Sequence, residues 1–194
     1  LRQVGIGLET YVSSHDGNYP PKHLGTQYGW IGKGGIADGY STASGRGADQ
    51  RLLNAYVANE YSPDAEVPWA RCPEDKGMFS DISEYDFRGA SYTPNNPTSG
   101  LSKHAGKGMV TPDNRGRAKI EITSPSKFLT FGENGVLGAV WWSRGKWIAQ
   151  GGPQLFWHGD DFMWVCLFAD GHSAYIPIKL GKFLADEYTT WNDL

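Results

Sequence analysis

The chain has 194 residues, of which 39% are hydrophobic and 20% are charged, and its formal net charge is −3. This length allows one domain with a sizeable core, and the composition excludes a disordered chain and a coiled coil. Because the net charge is slightly negative and the basic residues are scattered, electrostatic binding to nucleic acid or to an anionic membrane is disfavoured.

Residues 1–16 have the pattern of an amphipathic helix. Their apolar residues recur at the three- and four-residue spacing of one helix face, namely Leu1, Val4, Leu8, Tyr11 and Val12. The turn residues at 16–18 end this helix, and Pro20-Pro21 prevents it from restarting. Because Leu1 already belongs to the apolar face, we expect the helix to continue upstream.

The middle of the chain predicts less regular structure. Residues 22–47 are rich in glycine and polar side chains, which indicates a long surface loop. An apolar face within 49–60 predicts a second helix. The many turn signals in 68–117 predict a surface segment with short strands only.

The last third, with its main region at 119–178, has the pattern of a β-sheet. Strands are expected at 119–123 and 127–132, a hairpin at 136–149 and a short helix at 179–188. Asp170-Gly171 lies between two β-rich runs and predicts a two-residue type I′ turn. The run before it is apolar on both faces, so we expect an interior strand covered by the first helix on one side and by loops on the other. The predicted fold class is therefore α+β, in one domain spanning 1–194.

Four blocks of the sequence resemble, in this order, the pilin-like proteins of the prepilin-type H-X9-DG family. They are Leu1–Gly5 continuing to the Tyr19-Pro20-Pro21 turn; Cys72-Pro73 followed by Ser91-Tyr92 and Asn95; Ile122 with Ser124-Pro125-Ser126-Lys127; and His158 with Phe168-Ala169-Asp170-Gly171-His172. The last block corresponds to the motif that names the family, in residues His158, Asp170, Gly171 and His172. Here eleven residues rather than nine separate His158 from Asp170, and we expect the two extra residues in the loop at 159–161.

This resemblance implies a fold in which the N-terminal helix packs on an antiparallel sheet with long irregular loops. It implies an exported, non-enzymatic subunit at the cell surface or in the periplasm, anchored by an upstream membrane helix that a prepilin peptidase processes. Its partners would be other pilin-like subunits, contacted through the N-terminal helix. Its role would be structural, in a type II secretion-like or type IV pilus-like system or in presentation at the cell surface.

Histidine and carboxylate residues near the Asp-Gly turn suggest a metal site as an alternative. His158, Asp170 and His172 have side chains suited to a divalent metal, and on them a metal-dependent hydrolase is a third hypothesis. Asp160 and Asp161, with Asp170, offer oxygen ligands for calcium, which some pseudopilins bind near their C-terminus. We favour the simpler interpretations, a turn aspartate and a solvated acidic loop, and we expect no cofactor.

Tryptophans and cysteines give two further predictions. Trp142, Trp147 and Trp157, if exposed, would form a platform for sugars, which makes a carbohydrate-binding module the second hypothesis. Cys72 and Cys166 are compatible with one disulfide, and Cys166 equally with a small core residue.

The sequence has no GxSxG, HExxH or P-loop motif, which disfavours those enzyme classes. Glu133 is expected to be a turn carboxylate, and the sequence indicates no partner for it.

Overall fold

The computed structural model describes residues 1–21, 29–36, 47–58, 61–77, 82–95, 107–141, 156–159 and 162–190. Its helices are α1 (Arg2–Ser14), α2 (Glu84–Arg88) and α3 (Asn134–Trp141). Its strands are β1 (Tyr92–Pro94), β2 (Leu129–Glu133), β3 (Met163–Phe168) and β4 (Ser173–Pro177). Mixed helices and strands of this kind confirm the α+β class.

The four strands form one sheet in the order β1-β2-β3-β4, and every neighbouring pair is antiparallel. A bulge interrupts the register of β2 between Leu129 and Phe131. Without it, these two residues would point to the same face, because side chains alternate along a strand. With it, Leu129 joins one core and Phe131 joins the other.

The sheet is covered on both faces. On one face, Phe131 and Leu167 share a core with α1 and with the turn-rich segments of the first half of the chain. On the other face, Trp164, Cys166 and Phe168 pack with α3 and with the segment around Tyr188. The predicted interior strand, apolar on both faces, is therefore confirmed as β3. The prediction that loops cover its second face is wrong, because helix α3 packs there.

Helix α1 buries the predicted apolar face and leaves the opposite face in solvent, where Ile6 is 50% exposed. Gly5 faces β3 closely, since a Cβ at this position would lie 3.2 Å from Leu167 Cδ1. Lys119 Nζ forms an ion pair with Glu9 at 2.6 Å, and this pair connects helix α1 to a 3-10 turn at Lys119–Glu121. Within the described part of the chain, no helix has the length and apolarity that crossing a membrane requires.

The hairpin of β3 and β4 is confirmed, but its turn differs from the predicted one. Gly171 N donates to Phe168 O, and Phe168 N donates to His172 O, so the loop is three residues long. Gly171 has φ +92°, whereas Asp170 does not have a positive φ. This is the geometry of a tight turn followed by a glycine bulge rather than of type I′. Asp170 Oδ1 accepts from His172 N at 3.2 Å, so its carboxylate closes the turn and does not need the left-handed conformation.

The helix predicted at 49–60 is wrong. The chain there forms two 3-10 turns, Ala48–Gln50 and Asn54–Tyr56, separated by an extended Arg51. The buried Asn54 amide donates to Gly32 O and Ala48 O and accepts from Gly32 N. These bonds to distant backbone groups compete with a continuous helix.

Other predicted elements also need correction. The predicted strand at 119–123 is the 3-10 turn already described, and 136–141 belongs to helix α3 instead of a hairpin. Residues 179–190 form turns and isolated bridges instead of the predicted helix. The Tyr188 hydroxyl lies within hydrogen-bond distance of the carbonyl oxygens of Lys179 and Lys182, which a helix would pair with its own N–H groups. The sheet also extends beyond the predicted 119–178, since β1 comes from the segment expected at the surface.

Two segments predicted to be loops contribute to the core. Within 22–47, the described Trp30 is fully buried and its ring lies 6.1 Å from that of Phe131. Within 68–117, Cys72, Tyr85 and Met109 are buried. These side chains belong to the core that α1 shares with one face of the sheet.

Candidate functional site

The family-motif residues at the β3–β4 turn form a surface pair. His172 Nδ1 lies 2.6 Å from Asp170 Oδ1, and the His172 ring stacks on Phe168 with centroids 4.2 Å apart. Burial raises the pKa of Asp170, but the hydrogen bonds from His172 outweigh it and leave this pKa below its ordinary value. Both side chains are more than one third exposed. The pair therefore stabilises the turn, which agrees with the simpler of the two interpretations.

His158 belongs to a different cluster. Its Nε2 lies 2.7 Å from Glu133 Oε1 and 3.7 Å from Cys72 Sγ, and Cys72 Sγ lies 3.2 Å from the same Glu133 oxygen. Among the described residues, this is the one group of three metal-binding side chains with ligand atoms within 4.8 Å of one another. The structure thus separates His158 from Asp170 and His172, and the three-residue metal site suggested by the sequence is wrong.

Glu133 is the centre of this cluster. It is the last residue of β2, only 1% exposed, and α3 begins at the next residue. Its Oε2 accepts from the backbone N–H of Val165 at 3.0 Å, while Oε1 faces the thiol and the imidazole. Three donors therefore satisfy a carboxylate that has almost no contact with water.

Cys72 is fixed by its backbone. Its N–H donates to Ser91 Oγ at 2.9 Å, and Ser91 Oγ in turn donates to Asp75 Oδ2 at 2.5 Å. Asp75 also accepts from the backbone N–H groups of Glu84 and Tyr85 at the start of α2. The turn at Cys72–Asp75 is in this way anchored both to β1, through its preceding residue, and to α2.

His158 lies against the sheet near two cross-strand pairs. One pair is Tyr92 with Glu133, and the other is Val165 with Tyr175. The imidazole ring meets the Tyr175 ring edge-on, with centroids 5.6 Å apart. Its side chain is 24% exposed, so solvent reaches the cluster from this side only in part.

Burial, followed by the nearby Glu133 carboxylate, raises the pKa of the Cys72 thiol to about 12. The metal-free cluster at neutral pH therefore holds a thiol that donates to Glu133, and not a reactive thiolate. The same imidazole nitrogen, Nε2, faces both the sulfur and the carboxylate. A nucleophilic Cys–His pair instead needs one ring nitrogen for the thiol and the other for an orienting group. The sulfur, the imidazole nitrogen and the carboxylate oxygen face one another, and they do not form the chain of hydrogen bonds that a catalytic Cys–His pair uses.

A second buried carboxylate, Glu84, is connected to the residue that follows Glu133. Glu84 Oε2 binds Arg88 Nε at 2.7 Å and accepts from Asn134 Nδ2 at 2.5 Å. Asn134 Oδ1 accepts in turn from the Thr93 hydroxyl. This network connects α2 to β1 and to the first residue of α3, and so supports the strand end that carries Glu133.

The remaining predicted site residues have varied outcomes. Trp157 is 2% exposed and donates toward Gly77 O at 3.4 Å, so it is not an exposed platform for sugars. Cys72 and Cys166 are both free and buried, so the disulfide is not formed, and Cys166 is a core residue. Trp142, Trp147, Asp160 and Asp161 lie outside the described residues.

Sequence reasoning missed the pairing of Cys72 with Glu133 and His158. Cys72 lies sixty-one positions before Glu133 in the chain, and His158 lies twenty-five positions after it. One signal was available: Glu133 comes directly after the strand predicted at 127–132 and is the last residue of β2, and a carboxylate at the end of a buried strand requires partners.

Comparisons of the chain with protein-family models, with curated proteins and with solved structures found no match.

Proposed function

We propose that this chain is the head domain of an exported pilin-like subunit. In this proposal α1 is the C-terminal end of a longer helix that joins subunits to one another. The observation that carries the proposal is that the four sequence blocks resembling pilin-like proteins, although far apart in the chain, meet in one structural unit.

The first and last blocks meet at α1. A Cβ on Gly5 would lie 3.2 Å from Leu167 and 4.0 Å from Gly171 O, so the LRQVG segment lies directly on the hairpin that carries the FADGH motif. A residue without a side chain at this point allows the helix to approach the hairpin closely.

The middle blocks meet the same hairpin and the same sheet. Asp170 N donates to Pro125 O at 3.3 Å, and Ala169 N donates to Phe128 O at 2.9 Å, which joins the SPSK turn to the FADGH turn. Asn95 Nδ2 donates to Leu129 O at 2.9 Å and so ties the end of the second block to β2. These contacts explain physically why the blocks would occur together.

Helix α1 has the form that a docked stem requires. Its buried face includes Val4 and Leu8, whereas Ile6 on the opposite face is half exposed. This exposed face carries a position at which contact between subunits can be tested directly.

Processing is the first test of this proposal. The full-length gene product is expressed with and without a prepilin peptidase, and mass spectrometry determines its mature N-terminus. We expect cleavage ahead of an apolar segment that leads into α1, only when the peptidase is present. An identical N-terminus in both strains would overturn the proposal.

Subunit contact is the second test. Ile6→Cys introduces a thiol on the exposed face of α1, and Ile36→Cys, at 63% exposure, is the matched control away from this helix. Because both native thiols are buried, background cross-linking is low. We expect oxidation of intact membranes to cross-link Ile6→Cys into multimers and to leave Ile36→Cys monomeric. Equal behaviour of the two variants would contradict a helix-mediated assembly.

A further inference from the structure

We propose that Cys72, Glu133 and His158 form a binding site for a single Zn²⁺ ion. This inference is independent of the pilin-like function, because it rests on three side chains and their distances alone.

The ligand set indicates which metal the site would take. A thiolate, an imidazole nitrogen and a carboxylate oxygen together suit Zn²⁺, whereas Ca²⁺ and Mg²⁺ prefer oxygen ligands alone. A calcium ion at this point would face sulfur and nitrogen, so the cluster differs in kind from the acidic loop considered from the sequence.

The distances are close to those of a coordinated ion. In a tetrahedral site with Zn–S of about 2.3 Å and Zn–N or Zn–O of about 2.0–2.1 Å, neighbouring ligand atoms lie about 3.3–3.6 Å apart. The sulfur–nitrogen distance of 3.7 Å and the sulfur–oxygen distance of 3.2 Å are near this range. The nitrogen–oxygen distance of 2.7 Å is a hydrogen bond, and it must lengthen by about 0.6 Å when the metal replaces the shared proton.

The ligands are held in place by other groups, which lowers the cost of assembling a site. Val165 N–H holds the second carboxylate oxygen of Glu133, so Oε1 is directed toward the cluster. Ser91 fixes the backbone of Cys72, and Tyr175 contacts one side of the His158 ring.

Charge also favours a cation at this point. Glu133 and Cys72 are 1% and 2% exposed, and a buried carboxylate is costly unless it is paired. The proton shared by His158 and Glu133 supplies a partial charge in the metal-free state, and Zn²⁺ would supply a larger one. On binding, the Cys72 thiol releases its proton to solvent, and His158 binds as the neutral tautomer whose proton is on Nδ1, so the proton on Nε2 is transferred to Nδ1 through solvent. The thiolate sulfur and Nε2 then donate electron pairs to the metal, and neither is oxidised or reduced.

Three protein ligands leave a fourth position for water or a small molecule. His158 is the partly exposed member of the cluster, so this position faces the solvent side.

The test uses the reduced, metal-free chain titrated with Co²⁺ and, separately, with Zn²⁺ against a chromophoric chelator. We expect one ion per chain and, with Co²⁺, the thiolate-to-metal charge-transfer absorption that requires a sulfur ligand. Cys72→Ser should abolish this absorption, and His158→Gln should weaken Zn²⁺ binding by about 100-fold or more. His172→Gln, which changes the surface histidine of the turn, is the matched control and should leave the affinity unchanged.

Three results would overturn the site: no stoichiometric binding to the unaltered chain, charge-transfer absorption that persists in Cys72→Ser, or an equal loss in His172→Gln. Because the cluster variants risk failing to fold, X-ray absorption on the zinc-loaded unaltered chain provides a measurement without substitutions. We expect one sulfur neighbour at about 2.3 Å, with nitrogen and oxygen at about 2.0–2.1 Å. A shell without sulfur would equally reject the proposal.

Discussion

Replacing Glu133 by Gln tests whether the buried carboxylate holds the cluster together. The carboxylate accepts from three donors, His158 Nε2, Cys72 Sγ and Val165 N. A glutamine side chain of the same shape has one acceptor oxygen, and its amide nitrogen is itself a donor. Whichever way the amide is oriented, at least one buried donor loses its acceptor.

The size of the effect follows from these contacts. An unpaired buried donor costs about 1–3 kcal/mol, and loss of the charge from the bond to His158 adds about 1 kcal/mol. We therefore expect Glu133→Gln to lower the free energy of unfolding by about 2–4 kcal/mol. Since a chain of this length has a urea m-value of about 2–3 kcal/mol/M, the midpoint of unfolding should fall by about 1 M.

The assay is urea unfolding followed by tryptophan fluorescence at pH 7, with a chelator present so that metal binding makes no contribution. Glu187→Gln is the control, because Glu187 lies 3.8 Å from Lys179 on the surface and such pairs contribute about 0–1 kcal/mol. A midpoint for Glu133→Gln equal to that of the control, or higher than that of the unaltered chain, would refute the reasoning.

Two further predictions concern the core and the surface. Ile122 is 5% exposed and Ile120 is 95% exposed. In urea unfolding, Ile122→Ala should therefore lower the free energy of unfolding by about 2–4 kcal/mol, and Ile120→Ala by less than about 0.5 kcal/mol. Similar losses in the two variants would contradict the assignment of Ile122 to the core and of Ile120 to the surface. The hydrogen bond from Lys33 first, and that from Ser83 next, lower the pKa of Asp86. Because the folded-state pKa is the lower one, this pairing stabilises above about pH 4 and its contribution is lost as the pH falls through the folded-state value. Lys33→Met should therefore reduce stability more at pH 7 than at pH 3, and parallel stability curves for the two chains would contradict the pairing.

The parts of the fold that the sequence predicted are those with strong local periodicity. The face of α1 at Val4, Leu8 and Tyr11 repeats with the period of a helix, and it is the buried face. The β3 run is apolar on both faces and β-rich, which favours an interior strand, and the Asp170-Gly171 turn after it predicts the position of the partner strand β4. Local patterns of this kind need no knowledge of distant residues.

The errors occur where distant contacts override the local pattern. Val136, Ala139 and Val140 repeat at helical spacing, yet they are apolar and mainly β-branched, and so resemble a strand as much as a buried helix. Asn54 interrupts the predicted second helix through bonds to Gly32, twenty-two residues away. Neither outcome is visible in a window of the sequence.

The candidate cluster could not be predicted either, because its three residues are even farther apart in the sequence. Cys72, Glu133 and His158 come from a turn, a strand end and a segment before β3, and only the complete sheet brings them together. The sequence indicates separate roles for these residues, as family-motif residues, a possible disulfide cysteine or a turn carboxylate, because sequence spacing carries no information on contacts this distant.

The position of Glu133 indicates what the cluster does even before any metal is considered. The segments of Cys72 and His158 are turns without strand pairing. In proteins generally, replacing buried ionic groups by apolar residues of equal volume often leaves the stability unchanged or raises it. Apolar contacts are not directional, however, whereas a carboxylate with three donors accepts only one arrangement of them. The buried charge thus fixes where two irregular segments lie on the sheet, and it keeps sulfur, nitrogen and oxygen directed at one point. That convergence is costly for stability alone and is what a metal site requires, so Glu133 is the residue on which the fold and the proposed zinc chemistry both depend.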